Sequence, residues 1–241
     1  TRKESSAASD VYKRQAYLLN GRSLGFSSTN GIAGHKFRRL AKEGALNELL
    51  ERDSFLRHWY QEIPFNFESP KCLYIVKLQK ELLEKGHESL FFSTHLGLKR
   101  TIVAIIKSNK SGGFVVGLSC GQKNEFQKAF DEAIINLFYG DDERFPSTRI
   151  KNISARGIKS LRDHRCFWLH MSMLPSWVNQ DAKVSLSFPK NVETSEEYDL
   201  GTSEIPVVAC KIKGSIPLTV GRLTEDSVSY THLTLPTTPY V

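Results

Sequence analysis

Apolar side chains recur at Phe37, Leu40, Ala41, Ala45, Leu46, Leu49, Leu50, Phe55 and Leu56. That spacing follows the 3.6-residue period of a helix and no strand can satisfy it. It commits Lys36 to Glu62 to one long helix, which Pro64 must end because proline has no amide hydrogen to give. Every other element then has to find its place against a helix of about seven turns.

The segments that follow alternate in character. Pro70 to Lys85 reads as a second helix with Leu73, Ile75, Val76, Leu78, Leu82 and Leu83 inside, stopped at Gly86. Ser89–Thr94, Thr101–Lys107 and Phe114–Ser119 are short and rich in β-branched and aromatic residues, the mark of strands. Lys110-Ser111-Gly112-Gly113 supplies the turn that makes a hairpin of the last two. Asn124 to Phe138 is a third helix carrying Phe126, Ala129, Phe130, Ala133, Ile134 and Leu137. Beyond it the pattern weakens. A short helix is expected after Met171, strands at Val184–Phe188 and Pro206–Ile212, and an acidic loop over Glu193–Asp199. This order implies an α+β domain whose mostly antiparallel sheet packs against helices.

Composition removes several function classes. Thirty-three basic and 26 acidic side chains give a net charge of +7. Four basic and two acidic ones fall in the first fifteen residues, so the remainder carries about +5, enough to tolerate a phosphate ligand. No zinc knuckle, RNA-recognition or helix-turn-helix signature accompanies the excess, and a nucleic-acid partner is not expected. Cys72, Cys120, Cys166 and Cys210 stand singly, with no Cys-x-x-Cys pair for zinc or redox work. Reduced thiols of a cytoplasmic protein fit that usage. No apolar run reaches membrane-spanning length, so no membrane partner is expected.

The chemistry is concentrated in Ser27–Asp53, SSTNGIAGHKFRRLAKEGALNELLERD. A turn of small residues leads into the long helix, and the helix carries Glu48-Leu49-Leu50-Glu51-Arg52. Glu48 and Glu51 are three apart and share a helix face. Two carboxylates on one face suit a hard divalent cation, which arrives with nucleotide phosphates, and Arg52 offers a planar fork for phosphate oxygens. Alone, Glu-x-x-Glu-Arg is as well explained by a solvated helix face. The Asn30-Gly31 turn alone is equally ordinary. His35 and His58 read as surface or satisfied core histidines, and His164 with His170 carries no metal argument.

Turn, spacing and terminal motif agree together, and in that combination they resemble the YcaO family of ATP-dependent enzymes that activate peptide backbone amides. Asn30-Gly31-Ile32-Ala33 and Glu48-Leu49-Leu50-Glu51-Arg52 stand in the family's register. The resemblance continues more weakly through the hairpin, the helix bearing Glu132, Arg162-Asp163-His164 and Pro206–Gly221. It implies that Glu48 and Glu51 hold Mg2+ and that Arg52, Ser28, Asn30 and Lys36 face ATP phosphate, with Glu132 as a further candidate. The implied reaction is phosphorylation of an amide oxygen during azoline formation in a ribosomally made precursor peptide, with thioamide or amidine formation as variants. The implied partners are that peptide and a leader-peptide-binding protein. The sequence departs from the family at Lys36, Leu40 and Ile135, where the family has Asn, Glu and Gln. A leucine cannot ligate magnesium, so a non-catalytic scaffold that binds a peptide or partner is the alternative.

Both ends read as foreign. Ser5–Gln15 and Val228–Thr237 back-translate to a transposase sequencing adapter and its reverse complement, and a single barcode satisfies both flanks. Residues 1–15 and 227–241 are therefore expected to be non-native, with 16–226 a YcaO-like domain incomplete at both ends. The resemblance also places a further glutamate-bearing ATP motif upstream of the opening turn, so activity is expected of the intact parent rather than of this segment.

Overall fold

The structure is a computed structural model and describes residues 30–121, 124–140, 169, 174–180, 182, 194–200, 205–213 and 215. The expected strand at Val184–Phe188, the Arg162-Asp163-His164 segment, Ser28 and both termini lie outside the described residues.

The elements run β1 (Ile32–Gly34), α1 (Arg38–Gln61), β2 (Asn66–Phe67), α2 (Leu73–Glu84), β3 (His87–Ser93), β4 (Ile102–Ser108), β5 (Phe114–Ser119), α3 (Glu125–Gly140), a 3₁₀ turn (Ser176–Asn179), β6 (Thr194–Asp199) and β7 (Val207–Ile212). They make two sheets, ordered β2-β3-β4-β5 and β1-β7-β6, and every strand pairing is antiparallel. The α+β reading holds, with two sheets where one was expected.

Helix α1 lies between them. Its Phe55 and Leu56 pack on Phe92, Val103, Ile105, Phe114, Val116 and Leu118 of the four-stranded sheet. Its earlier turns put Ala41, Ala45, Leu49 and Leu50 against Val208, Cys210 and Ile212 of β7. Helices α2 and α3 cover the opposite face of the four-stranded sheet, with Ile75, Ala129, Phe130, Ala133 and Leu137 on Phe91, Ile102, Ala104, Ile106 and Val115. Strand β4 is thus buried on both faces, which explains its unbroken apolar run Ile102-Val103-Ala104-Ile105-Ile106. Gly117 lets α3 approach β5 closely: a Cβ there would meet the Ala129 carbonyl oxygen and lie 2.5 Å from the Ala133 nitrogen.

Two expectations are corrected. Leu73 and Leu83, expected inside, are 85% and 59% exposed. The buried stripe of α2 is narrow, with Ile75 fully buried and Leu78 and Leu82 packed beside it. Leu73 sits two residues from Ile75, about 200° around the helix, and so faces outward. The acidic segment at Glu193–Asp199 is not a loop; Thr194–Asp199 pairs with β7 as strand β6. Its charges are met across the fold, since Glu197 bonds Lys42 at 2.6 Å and Arg38 at 2.7 Å, and Asp199 bonds Arg38 at 3.1 Å. Those two cations, Lys42 first, hold the Glu197 carboxyl below the ordinary glutamate range.

Candidate functional site

The middle of α1 is unusual for a helix wedged between two sheets: Asn47, Glu48, Glu51, Arg52 and Asp53 are each less than a tenth exposed. Charged side chains are rarely buried unless they are paired. Arg52 Nη2 donates to Glu48 Oε1 at 3.0 Å, one turn away. Asp53 accepts both nitrogens of the Arg57 fork, at 2.9 and 3.0 Å. The carboxylates are not a solvated face.

Glu51 is held differently. Its Oε1 accepts the Cys120 amide hydrogen at 2.8 Å, at the end of β5. Strand β5 is the outer strand of its sheet, so alternate backbone groups on the side away from β4 need partners. Side chains supply them. Asn136 Nδ2 donates to the Val116 carbonyl at 2.9 Å, Glu132 Oε2 accepts from the Leu118 amide at 2.9 Å, and Glu125 Oε1 accepts from the Gly121 amide at 2.8 Å. Burial and, after it, the negative charge of Glu132 push the Glu51 carboxyl well above the ordinary range; the Cys120 amide and Arg52 oppose them. Burial and its acidic neighbours thus push the Glu51 carboxyl toward its neutral form.

The opening turn is anchored on the same helix. Gly31 has φ +77°, and a Cβ there would lie 2.7 Å from the Cys210 carbonyl oxygen and 2.8 Å from Leu49 Cγ, so only glycine fits. The Cys210 amide donates to the Gly31 carbonyl at 2.8 Å. The turn is thereby fixed between β7 and the residue following Glu48, with Asn30 buried. Lys36 is exposed and its Nζ rests 5.0 Å from the Phe37 ring centroid. Leu40 is half-buried and Ile135 is 44% exposed. Structure therefore gathers Glu48, Glu51, Arg52 and Glu132 around one end of β5 and sets the Asn30 turn against the same helix.

Four further residues join them without having stood out in the sequence. Lys99 Nζ donates to Asn47 Oδ1 at 3.4 Å, the Cys120 thiol lies 3.6 Å from the Asn47 carbonyl oxygen, and Glu125 caps the next amide. Burial pushes the Cys210 thiol up to about 11, and it pushes Cys120 further still, so neither is a thiolate nucleophile at neutral pH. An open groove of about 350 Å³ between the starts of α2 and α3, lined by Lys71, Cys72, Ile75 and Phe126, meets this region only at Glu125.

His58 is a satisfied core histidine. Its Nε2 accepts the amides of His95 and Leu96 at 3.0 and 3.1 Å. Its Nδ1 must then carry the hydrogen and donate to the Ile63 carbonyl at 3.0 Å. Burial lowers its pKa to about 4, keeping it neutral.

The residues fit a magnesium-bound nucleotide. Among the described residues no group of three or more His, Cys, Asp or Glu side chains is placed to hold a metal. Mg2+ does not need one, being commonly held by one or two carboxylates with substrate phosphates and water completing the shell. Two buried donors also lack acceptors, Arg52 Nη1 and Asn47 Nδ2. An unpaired buried guanidinium nitrogen is costly unless an anionic oxygen meets it.

Among the described residues no helix is long and apolar enough to cross a membrane. No curated protein matches the sequence. Two solved structures share the fold: a heterocyclase in complex with substrate and cofactor, 16% identical over 91% of this chain with a TM-score of 0.59, and the heterocyclase TruD, 15% identical over 88% with a TM-score of 0.57. The chain spans 33% of the length of each. Residues 11–199 match the family described as YcaO cyclodehydratase, ATP- and Mg2+-binding. That match takes in the opening turn, both carboxylates and β6, and the chain belongs to the YcaO family.

Proposed function

We propose that this chain is the nucleotide-facing part of an enzyme that activates a backbone amide of a ribosomally made precursor peptide for ring closure. The observation that carries the reading is the buried Glu48–Glu51–Arg52 turn, with a carboxylate left under-compensated and a guanidinium nitrogen left without an acceptor. In this reading Glu48 and Glu51 hold Mg2+, and Arg52 Nη1 takes a phosphate oxygen while Nη2 stays on Glu48. The turn at Asn30 and Gly31 sets backbone beside the phosphates, and Lys36 adds a cation at its rim. Glu132, fixed to the Leu118 amide, adds negative charge close to Glu51 and strengthens its demand for a cation. When bound, magnesium ATP supplies the phosphoryl group that turns an amide oxygen into a leaving group as the azoline forms. A leader-peptide-binding protein delivers the substrate in the cytoplasm.

A scaffold reading is favoured by Lys36, Leu40 and Ile135, which put a cation and two apolar groups where the family has Asn, Glu and Gln. Titrating the full-length natural protein with ATP, with and without magnesium, decides between them. Saturable magnesium-dependent binding, lost in Glu48→Gln and Glu51→Gln, is the expected result. A folded protein that binds no ATP would leave the scaffold.

A further inference from the structure

Lys99 is brought to the carboxylates from a loop far away in sequence, and the placement is built. The β3–β4 connection, residues 94–101, lies across α1 and is fixed there at two points. The Ser54 hydroxyl donates to the Lys99 carbonyl at 2.6 Å, and His58 takes the amides of His95 and Leu96. Both anchors come from α1, two and six residues beyond Arg52. A hydrogen bond from the Thr101 amide to the Thr94 hydroxyl, 2.9 Å, closes the loop on itself.

What this geometry presents is a half-buried ammonium group. Lys99 Nζ lies on Asn47 Oδ1 and so close over Gly121 that a Cβ there would collide with it. Asn47 and Glu51 are one turn apart, and the Cys120 amide is on Glu51, so Lys99, Asn47 and Glu51 share the end of β5. Glu48, Glu51 and Glu125 are all nearby, yet among the described residues none is within ion-pair distance of Lys99: Arg52 holds Glu48, the Cys120 amide holds Glu51, and Arg100 and the Gly121 amide hold Glu125. Lys99 instead rests on a neutral amide oxygen. On the far end of that same amide, buried Asn47 Nδ2 has no acceptor. A cation and an unsatisfied donor on one side chain, beside carboxylates suited to magnesium, describe a place for an anionic oxygen.

We propose that Lys99, positioned by Asn47, binds a β- or γ-phosphate oxygen of the nucleotide at this site, on the β5 side, as a second cation complementing Arg52. The inference rests on the nucleotide reading above. A merely structural lysine would steady the cluster without distinguishing ATP from AMP, whereas a contact to a phosphate that AMP lacks must do so.

The test is calorimetric titration of the full-length natural protein with ATP and with AMP, both in magnesium, comparing the unsubstituted protein with Lys99→Gln and Lys99→Arg. The expected result is ATP affinity about tenfold weaker in Lys99→Gln, the scale of one charge-assisted hydrogen bond. AMP affinity should change much less, and Lys99→Arg should restore ATP binding. Thermal melting of both variants without nucleotide serves as the control for folding. Equal loss for ATP and AMP, unchanged ATP binding in a folded Lys99→Gln, or a loss that tracks the melting temperature and is not rescued by arginine would overturn the proposal. No ATP binding by the unsubstituted protein would instead overturn the nucleotide reading beneath it.

Discussion

Glu51 on α1 and Glu132 on α3 accept hydrogen bonds from amides two residues apart on one strand edge, those of Cys120 and Leu118. Two helices thus present like charges to the same side of β5, and the buried one is pushed toward its neutral form. The arrangement costs stability wherever no cation balances it.

Glu51→Gln keeps an acceptor for the Cys120 amide and removes the charge. Its melting temperature without metal should rise by a few degrees, while magnesium-dependent ATP binding is lost. The pH dependence has a definite sign. A carboxyl whose folded pKa is raised contributes stability fully below the unfolded value and loses it as pH rises through the folded one. The advantage of Glu51→Gln should therefore grow with rising pH. A variant less stable than the natural protein at pH 8 would contradict this.

Glu132→Gln retains the bond to the Leu118 amide and deletes the neighbouring charge. The Glu51 carboxyl should then titrate at lower pH, read by carbon NMR of labelled glutamate side chains. An unmoved titration would mean that the charge of Glu132 does not contribute to the Glu51 shift.

His58 satisfies three backbone groups at once. His58→Leu leaves the amides of His95 and Leu96 without an acceptor and should destabilise the protein by about 2–4 kcal/mol. With its folded pKa lowered to about 4, His58 contributes stability above pH 6.5 that is lost as pH falls toward 4, roughly 3 kcal/mol at about 1.4 per pH unit. Urea unfolding at pH 7 and pH 5 should show the natural protein losing more than His58→Gln. Parallel losses in the two proteins would rule the titration out.

Gly117→Ala inserts a methyl group into the backbone of α3 at Ala129 and Ala133, where no side chain can swing aside. A loss of about 3 kcal/mol or more is expected, at the upper end for overpacked cores. Gly34→Ala makes a useful comparison, because its backbone is not left-handed and the nearest atom to the added carbon, on Val207, is 3.5 Å away. The two should separate clearly in denaturant melts if the close approach of α3 is what Gly117 serves.

The long helix was readable because its apolar spacing extends over many turns, and β5 because Phe114–Ser119 is β-rich from end to end. Strand β6 was not, since Glu196-Glu197-Tyr198-Asp199 looks like a solvated loop until Arg38 and Lys42 are known to face it. The site divides the same way. Glu48, Glu51 and Arg52 sit close together in sequence and could be found as a motif. Asn47 and Lys99 are common polar residues 52 positions apart, and only the folding of residues 94–101 over α1 joins them. The burial of the charges was also hidden, because a Glu-x-x-Glu-Arg helix face reads identically whether it meets water or β5.

Helix α1 is clasped by both sheets, and neither sheet can let go of it alone. Its central amides, around residues 45–56, should exchange with deuterium only when the whole domain opens, later than those of α2. The acidic turn is therefore written into the most slowly opening stretch of the described fold, and chemistry carried there keeps its shape while the edges of the molecule breathe.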